Sequence, residues 1–327
     1  MPLLATAACG GDDSGSDGGG DDGSGSNVQG TPHTYVVNQA MVPTSSAEAI
    51  MYGLDLGQMS SDVPDGTVDN QLGMTLSALT TFNFDVQGTI TTAVNEGSII
   101  LLLTFTTTDY SAATNAGLKV DLGANPMPAP CNGSDDTTCG HHLDGTGSFD
   151  IAAGETDNAP LVGNVVGGKY TGGPGKLTLQ IALGGTDAIT LDLLQARAEG
   201  TGFSDTGVTT LKLGGMLTQA ELNSTVIPAV AAQLEPIVMR DCTGTSPTSD
   251  PPCLCVDQST GQTLISLFDG DHGNAKDCMI TVDEVQMNGE VSTLLQPDVC
   301  STASCGTTPD SLSLGIEVTA VKGTINP

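Results

Sequence analysis

The sequence predicts an α+β fold that is mostly β: an antiparallel sheet or sandwich with a few short helices packed on it and a disulfide-stapled C-terminal part. Three observations carry this expectation. Lys176–Leu183 alternates apolar with polar or small residues, and after a turn at Gly184-Gly185 the runs Ile189–Ala198 and Val208–Leu213 read as further strands, which makes a meander. Ile99–Phe105 is an apolar run, broken only by Thr104 and too short for a helix, which suits a central strand covered on both faces. Eight cysteines remain when Cys9 is set aside, an even number that suits bridges in an oxidising compartment.

Residues 3–9, Leu-Leu-Ala-Thr-Ala-Ala-Cys followed by Gly-Gly-Asp-Asp, resemble the bacterial lipoprotein box, in which cleavage precedes a lipidated cysteine, here Cys9. Only eight residues precede it and none is basic, so the positive region and full apolar stretch of a signal peptide are expected upstream. Residues 10–30 are almost wholly Gly, Ser and Asp with no apolar residue before Val28, a composition that cannot offset its ordering entropy and predicts a disordered linker. Residues 31–327 then read as a single β-rich body. Its first segment, 34–56, reads as strand, turn around Pro43–Ser46, and strand. A helix is expected over 68–82, where Leu72, Leu76 and Leu79 share a face, and a shorter one over 86–96. Gly163–Gly175 reads as a glycine-rich spacer between strands. Helix returns at 218–235, with Thr218 and Glu221 as a capping box and Pro228 as a break or kink. Thr281 and Glu284 form a second capping box for a helix running through Val285 to Leu295, and Leu312–Ile325 is the final strand.

Composition excludes several functions. Eight Lys and Arg face 38 Asp and Glu, a formal charge of −30, and no basic residue occurs before Lys119. Such a surface repels phosphate backbones and anionic headgroups, so neither nucleic acid nor polybasic membrane docking is expected. With no Trp, four Tyr and six Phe, recognition by aromatic stacking is disfavoured as well. No Gly-x-Ser-x-Gly elbow, His-Glu-x-x-His helix or complete Gly-x-x-x-x-Gly-Lys-Ser/Thr loop occurs; Gly163–Lys169 has the glycines and the lysine, but Tyr170 follows in place of the hydroxyl.

One motif carries chemistry. In residues 267–285 Asp269 and Asp271 match the first ligand positions of an EF-hand loop, Ile280 its apolar position, and Glu284 its bidentate acid four residues later. The span from Asp269 to Glu284 is four residues too long. Either Asn274–Asp277 loops out or Asp277 replaces an early ligand. Asp62, Asp65 and Asp69 form a weaker echo around Asp65-Gly66. The competing readings are a polar loop pinned by Cys278 and a capping role for Glu284. Cys131 with Cys139, and Cys300 with Cys305, each close a small loop and are expected to pair; among Cys242, Cys253, Cys255 and Cys278 three pairings stay open. Cys139-Gly-His141-His142 sets two imidazoles beside a thiol, an alternative zinc or copper site.

The phrases Gly66–Gly73, Gly172–Gly175, Leu267-Phe268-Asp269, Ile280–Glu284 and Asp310–Gly315 are similar to those of lipoproteins common in myxobacteria, some with better-formed Asp-Gly-Asp-Gly and EF-hand-like loops. The resemblance implies that Asp65, Asp69, Asp269, Asp271 and Glu284 descend from calcium ligands, with Cys300 and Cys305 standing where an acidic loop is expected. It brings no activity with it. The expected function is therefore a non-catalytic, lipid-anchored envelope protein on the inner or outer membrane, structural or ligand-binding, with Ca²⁺ as a stabilising ion. The alternative is a secreted hydrolase using an acidic pocket, and the discriminating feature is a deep pocket holding a perturbed carboxylate or histidine.

Overall fold

The computed structural model describes residues 27–56, 66–80, 85–133, 135–154, 158–182, 188–243, 253–269, 277–301 and 308–326. In chain order the strands are β1 (Thr31–Met41), β2 (Leu101–Thr107), β3 (Ala112–Met127), β4 (Ser148–Ile151), β5 (Leu161–Val166), β6 (Lys169–Ile181), β7 (Ile189–Thr201), β8 (Gly207–Thr218), β9 (Cys242–Thr243), β10 (Leu254–Cys255), β11 (Ser311–Lys322) and β12 (Thr324–Asn326). The helices are α1 (Ser46–Tyr52), α2 (Gln71–Leu79), α3 (Val86–Glu96), α4 (Gln219–Glu221), α5 (Ile227–Asp241), α6 (Thr260–Phe268), α7 (Val282–Met287) and α8 (Gly289–Leu294).

The predicted antiparallel sheet is present, but it closes on itself. Strands run β3-β2-β1-β11-β8-β7-β6-β5, and β5 pairs again with β3, so eight strands form a ring whose every pairing is antiparallel. This is a barrel and not the sandwich that the sequence left open. The segment that decides it is 163–175, expected as a spacer: it lies within β5 and β6, joined by the two-residue turn Gly167-Gly168 with both residues at positive φ. Gly163 stands opposite Gly172, where a Cβ would lie 2.0 Å from the Tyr170 hydroxyl oxygen, so a missing side chain makes room for a large inward one. Closure leaves the ring no free edge.

Eight strands enclose a bore just wide enough for side chains to fill. Alternate residues of each strand do so: Tyr35 and Val37 from β1, Leu101, Leu103 and Phe105 from β2, Leu118 and Val120 from β3, Leu177 and Leu179 from β6, and Leu314, Ile316 and Val318 from β11 are all buried in one cluster. Phe105 stacks on Phe203 at 4.1 Å between ring centroids and meets Tyr170 edge-on at 5.0 Å. The expectation that 99–105 is covered on both faces holds as well, because Leu102 points outward against Val36, Ile100 and Phe149, the last supplied by β4.

The two ends of the barrel differ. At one end the connections 108–111, 167–168 and 202–206 are short. At the other lie the long ones: 42–100 with α1–α3, 128–160 with β4, and 219–310 with α4–α8. Helical residues including Leu72, Leu76, Ile90, Leu234, Leu264 and Val285 belong to the same buried cluster as the bore.

Several local expectations are corrected. Residues 50–56 are not a strand: α1 ends at Tyr52, capped by Ser45, and only Leu54 makes an isolated bridge, to Asp69. The helix over 218–235 runs further, to Asp241, and its α register breaks just before Pro228, where a π turn at Leu222–Val226 separates α4 from α5 and leaves Pro228 in the first turn of α5. Only half of its capping box forms: the Thr218 hydroxyl accepts from the Glu221 N–H at 3.2 Å, while the Glu221 carboxylate accepts from the Asp192 N–H at 2.6 Å. The helix expected through 285–295 is two, with Asn288 capping the start of α8. Helix α6 and strands β3 and β4 were not expected.

Candidate metal centre

Helix α6 ends at Phe268 with Asp269 as its C-cap, and helix α7 begins at Val282 with Glu284 in its first turn. Amphipathic packing places both ends. Leu264 and Phe268 of α6 and Val285 of α7 are buried, and α5 packs against both helices. The Asp269 carboxylate is 8% exposed and accepts from the N–H groups of Asp277, at 3.1 Å, and Cys278, at 3.2 Å. Glu284 is 1% exposed; its Oε2 accepts from the Thr281 N–H at 2.9 Å and the Thr281 hydroxyl at 3.0 Å, while the Thr281 hydroxyl accepts from the Glu284 N–H. The predicted capping box is thus complete. Its three-residue spacing equals that between the ninth and twelfth positions of a calcium loop, so the cap and an ion ligand call for the same local geometry.

Burial pushes the Asp269 carboxyl above its ordinary range; the two N–H donors oppose this, and the negative charges of Glu284 and Asp277 add to it. Asp269 and Glu284 are therefore close enough to repel. Glu235 of α5 accepts from the Ile280 N–H at 3.0 Å. Among the described residues no three carboxylates here bring ligand oxygens within 4.8 Å of one another. Asp271, the second expected ligand, lies outside the described residues.

The weaker echo is divided. Asp62 and Asp65 lie outside the described residues, and the buried Asp69 carboxylate accepts from the Leu56 N–H at 3.0 Å. Its neighbour Asn70 is the residue that sequence reasoning missed. The Asn70 amide donates to the carbonyls of Ala49 and Gly315 at 3.0 and 2.9 Å, and its oxygen accepts from the N–H groups of Gly73 and Gly315, joining α1, α2 and β11. Nothing local could signal this, since Gly315 is 245 residues away.

Cys131 pairs with Cys139 as expected, and the open quartet pairs as Cys242–Cys255 and Cys253–Cys278. Register decides the first of these, because Cys242 stands opposite Cys255 in the β9–β10 ladder. Cys300 is also in a disulfide; Cys305 and the lipidation candidate Cys9 lie outside the described residues. His141 and His142 are put to separate uses. Nε2 of His141 meets Asp136 at 3.0 Å, and the Asp136 carboxyl is held well below its ordinary range, first by the N–H groups of Asn132 and Thr138 and then by His141. His142 is fully buried edge-on against Phe149, and burial holds its pKa down.

A groove of about 220 Å³ opens between the π turn and α7–α8, rimmed by Gln219, Asn223, Gln286, Ser292 and Gln296. Through Ile227, Val291 and Leu295 it adjoins a smaller, wholly apolar pit floored by Leu72, Leu76 and Val285. No carboxylate or histidine lines either. No helix among the described residues is long and apolar enough to cross a membrane. Comparison with protein-family models, with curated proteins and with solved structures found no match to this chain.

Proposed function

We propose that the chain is a non-catalytic envelope protein, held to the inner or outer membrane by a lipid on Cys9 and exposed to the periplasm or the cell exterior. In this reading the barrel is a scaffold, and the helices at one end carry what varies, including a calcium ion stapling the loop 267–285. The observation that carries it is the packed bore. Barrels of eight strands either fill with side chains or hold one small ligand, and here Phe105, Tyr170, Leu179 and Leu213 are buried within it. A filled bore gives rigidity, not a reaction chamber. The hydrolase alternative needs a pocket with a perturbed carboxylate or histidine, and the groove described above is rimmed by amides and one hydroxyl.

Calcium is the ion of choice because hard oxygen ligands suit it and because an extracellular site stays filled at weak affinity, on the order of 10⁻⁴–10⁻³ M. The ion would sit between Asp269 and Glu284, with Asp271 and Asp277 as further ligands, and would offset the burial that chiefly raises the Asp269 pKa and the repulsion from Glu284 and Asp277 that adds to it. The test is thermal unfolding of the oxidised chain in excess EDTA and then with about 1 mM Ca²⁺. The reading expects a higher midpoint with calcium, abolished by Asp269→Ala with Asp271→Ala. An unchanged midpoint would remove calcium from the proposal and leave the loop as a polar segment held by Cys278 and its capping box.

A further inference from the structure

Two disulfides meet beside α6. Cys242–Cys255 joins β9 to β10, and Cys253–Cys278 ties the start of β10 to the segment before α7. Cys253 and Cys255 share no bond, yet their Sγ atoms lie 3.7 Å apart, and the Sγ atoms of Cys242, Cys253 and Cys255 all lie within 4.8 Å of one another. Among the described residues this is the one place where three side chains able to ligate a metal converge. Thiolates around a tetrahedral divalent ion, with metal–sulfur bonds of about 2.3 Å, stand about 3.8 Å apart. The contact between the two disulfides already has that length.

The supports of the four sulfurs do not depend on the S–S bonds. Cys242 follows the last residue of α5, Cys253 and Cys255 flank Leu254 of β10, and the N–H of Cys278 is held by the Asp269 carboxylate at 3.2 Å. The Asp241 carbonyl accepts from Val256 at 2.9 Å and its carboxylate from the Gly261 N–H at 2.9 Å, which fastens α5, the residue after β10, and α6 together. Gly261, in the first turn of α6, matters for the sulfur itself. A Cβ there would lie 3.2 Å from Cys242 Sγ, so the bare backbone lets the positive end of the helix come against that sulfur. A helix N-terminus beside a thiol favours the thiolate, the form that ligates metal.

We propose that Cys242, Cys253, Cys255 and Cys278, once reduced, form a four-thiolate site for a thiophilic divalent cation of the Zn²⁺ class. Opening takes four electrons and four protons, supplied by two equivalents of an external dithiol, each of which is oxidised to its own disulfide. The four thiols then release four protons to solvent as the ion binds, leaving a complex of charge −2 in which soft sulfur ligands exclude calcium and magnesium. Two equivalents of an external disulfide, each reduced to its dithiol as it takes up two electrons from the thiolates and two protons from solvent, re-form the two bridges and expel the ion. The sulfur ligands do not include the carboxylates of Asp269 and Glu284, although Asp269 holds the Cys278 N–H, and the proposal does not rest on the calcium reading.

The test uses the full chain, reduced in the absence of air by a water-soluble phosphine, which opens each disulfide by taking oxygen from water and so leaves no competing thiol. Co²⁺ is added as the probe, followed by Zn²⁺. The expected result is one Co²⁺ per chain with the sulfur-to-metal charge-transfer absorption of tetrahedral thiolate ligation, displaced by one equivalent of Zn²⁺. It should persist in Cys131→Ser with Cys139→Ser and disappear in Cys253→Ser with Cys255→Ser. The proposal is overturned if the reduced chain binds no Co²⁺, binds it without sulfur ligation, or binds it equally well in the latter variant. Far-UV circular dichroism covers the remaining case: a reduced chain that unfolds and does not regain its signal on adding Zn²⁺ also overturns it.

Discussion

Ser313, buried on β11, ties a strand to a helix and a loop through one hydroxyl: it accepts from the Gln71 N–H at 2.7 Å and donates to Asp298. Burial pushes the Asp298 carboxyl above its unfolded value of 3.8, against the pull of the Ser313 hydroxyl and N–H. A carboxyl whose folded pKa is raised makes the native state bind more protons than the unfolded chain, so its ionisation lowers stability as pH rises from 3.8 through the folded pKa. Asp298→Asn removes that proton. Urea midpoints measured across this window should therefore fall less steeply with rising pH in Asp298→Asn than in the parent chain; parallel curves would show that Asp298 titrates as it does when unfolded. None of this was legible beforehand. Ser313 and Gln71 are 242 residues apart, and a serine in an alternating strand reads as solvent-facing until a helix is laid over it. The capping role of Glu284 was legible, because its signal is a spacing of three residues from Thr281.

At the scale of elements, what could be read was what is encoded over three or four residues. The Thr281–Glu284 box appears as expected, with both reciprocal bonds formed. Thr281→Ala should cost about 0.5–2 kcal/mol in a chemical denaturation, the usual range for losing a helix N-cap, and the variant should also lose part of any calcium shift, since the cap orients Glu284. The Thr218–Glu221 box has the same letters and forms only in part, because the Asp192 N–H on β7 takes the Glu221 carboxylate. Pro228 illustrates the same limit: proline forbids an ordinary interior hydrogen bond, but a π turn before it supplies a register in which none is needed. The run Ile50–Leu56 was read as a strand because short apolar runs do not separate strand from helix by periodicity. Its helical half is settled by Ser45 and by Glu48, whose carboxylate accepts from the Thr44 N–H at 2.8 Å.

At the scale of the whole molecule, stability concentrates in the bore, where Phe105, Tyr170 and Phe203 pack on one another. Phe105→Ala should cost about 3–5 kcal/mol in a chemical denaturation, as for other large buried aromatics; a loss below about 1 kcal/mol would mean that the bore collapses around the gap and is not a rigid scaffold. The sequence by itself determined the β-rich class, most strands of the meander, the Cys131–Cys139 bridge, the acidic composition and the Thr281–Glu284 capping box. All of these depend on alternation, composition or spacings of a few residues, which local chemistry enforces wherever the chain goes. Tertiary structure alone decided that the sheet closes, that Gly163–Gly175 is strand and not spacer, which cysteines of the quartet pair, and that two disulfides touch. Closure requires β3 and β5 to meet across the excursion that carries β4, and the quartet requires α5, β10 and the segment before α7 to converge. Such contacts are set by the packing of distant elements around a common core, for which no single stretch of sequence carries a periodic or spaced signal.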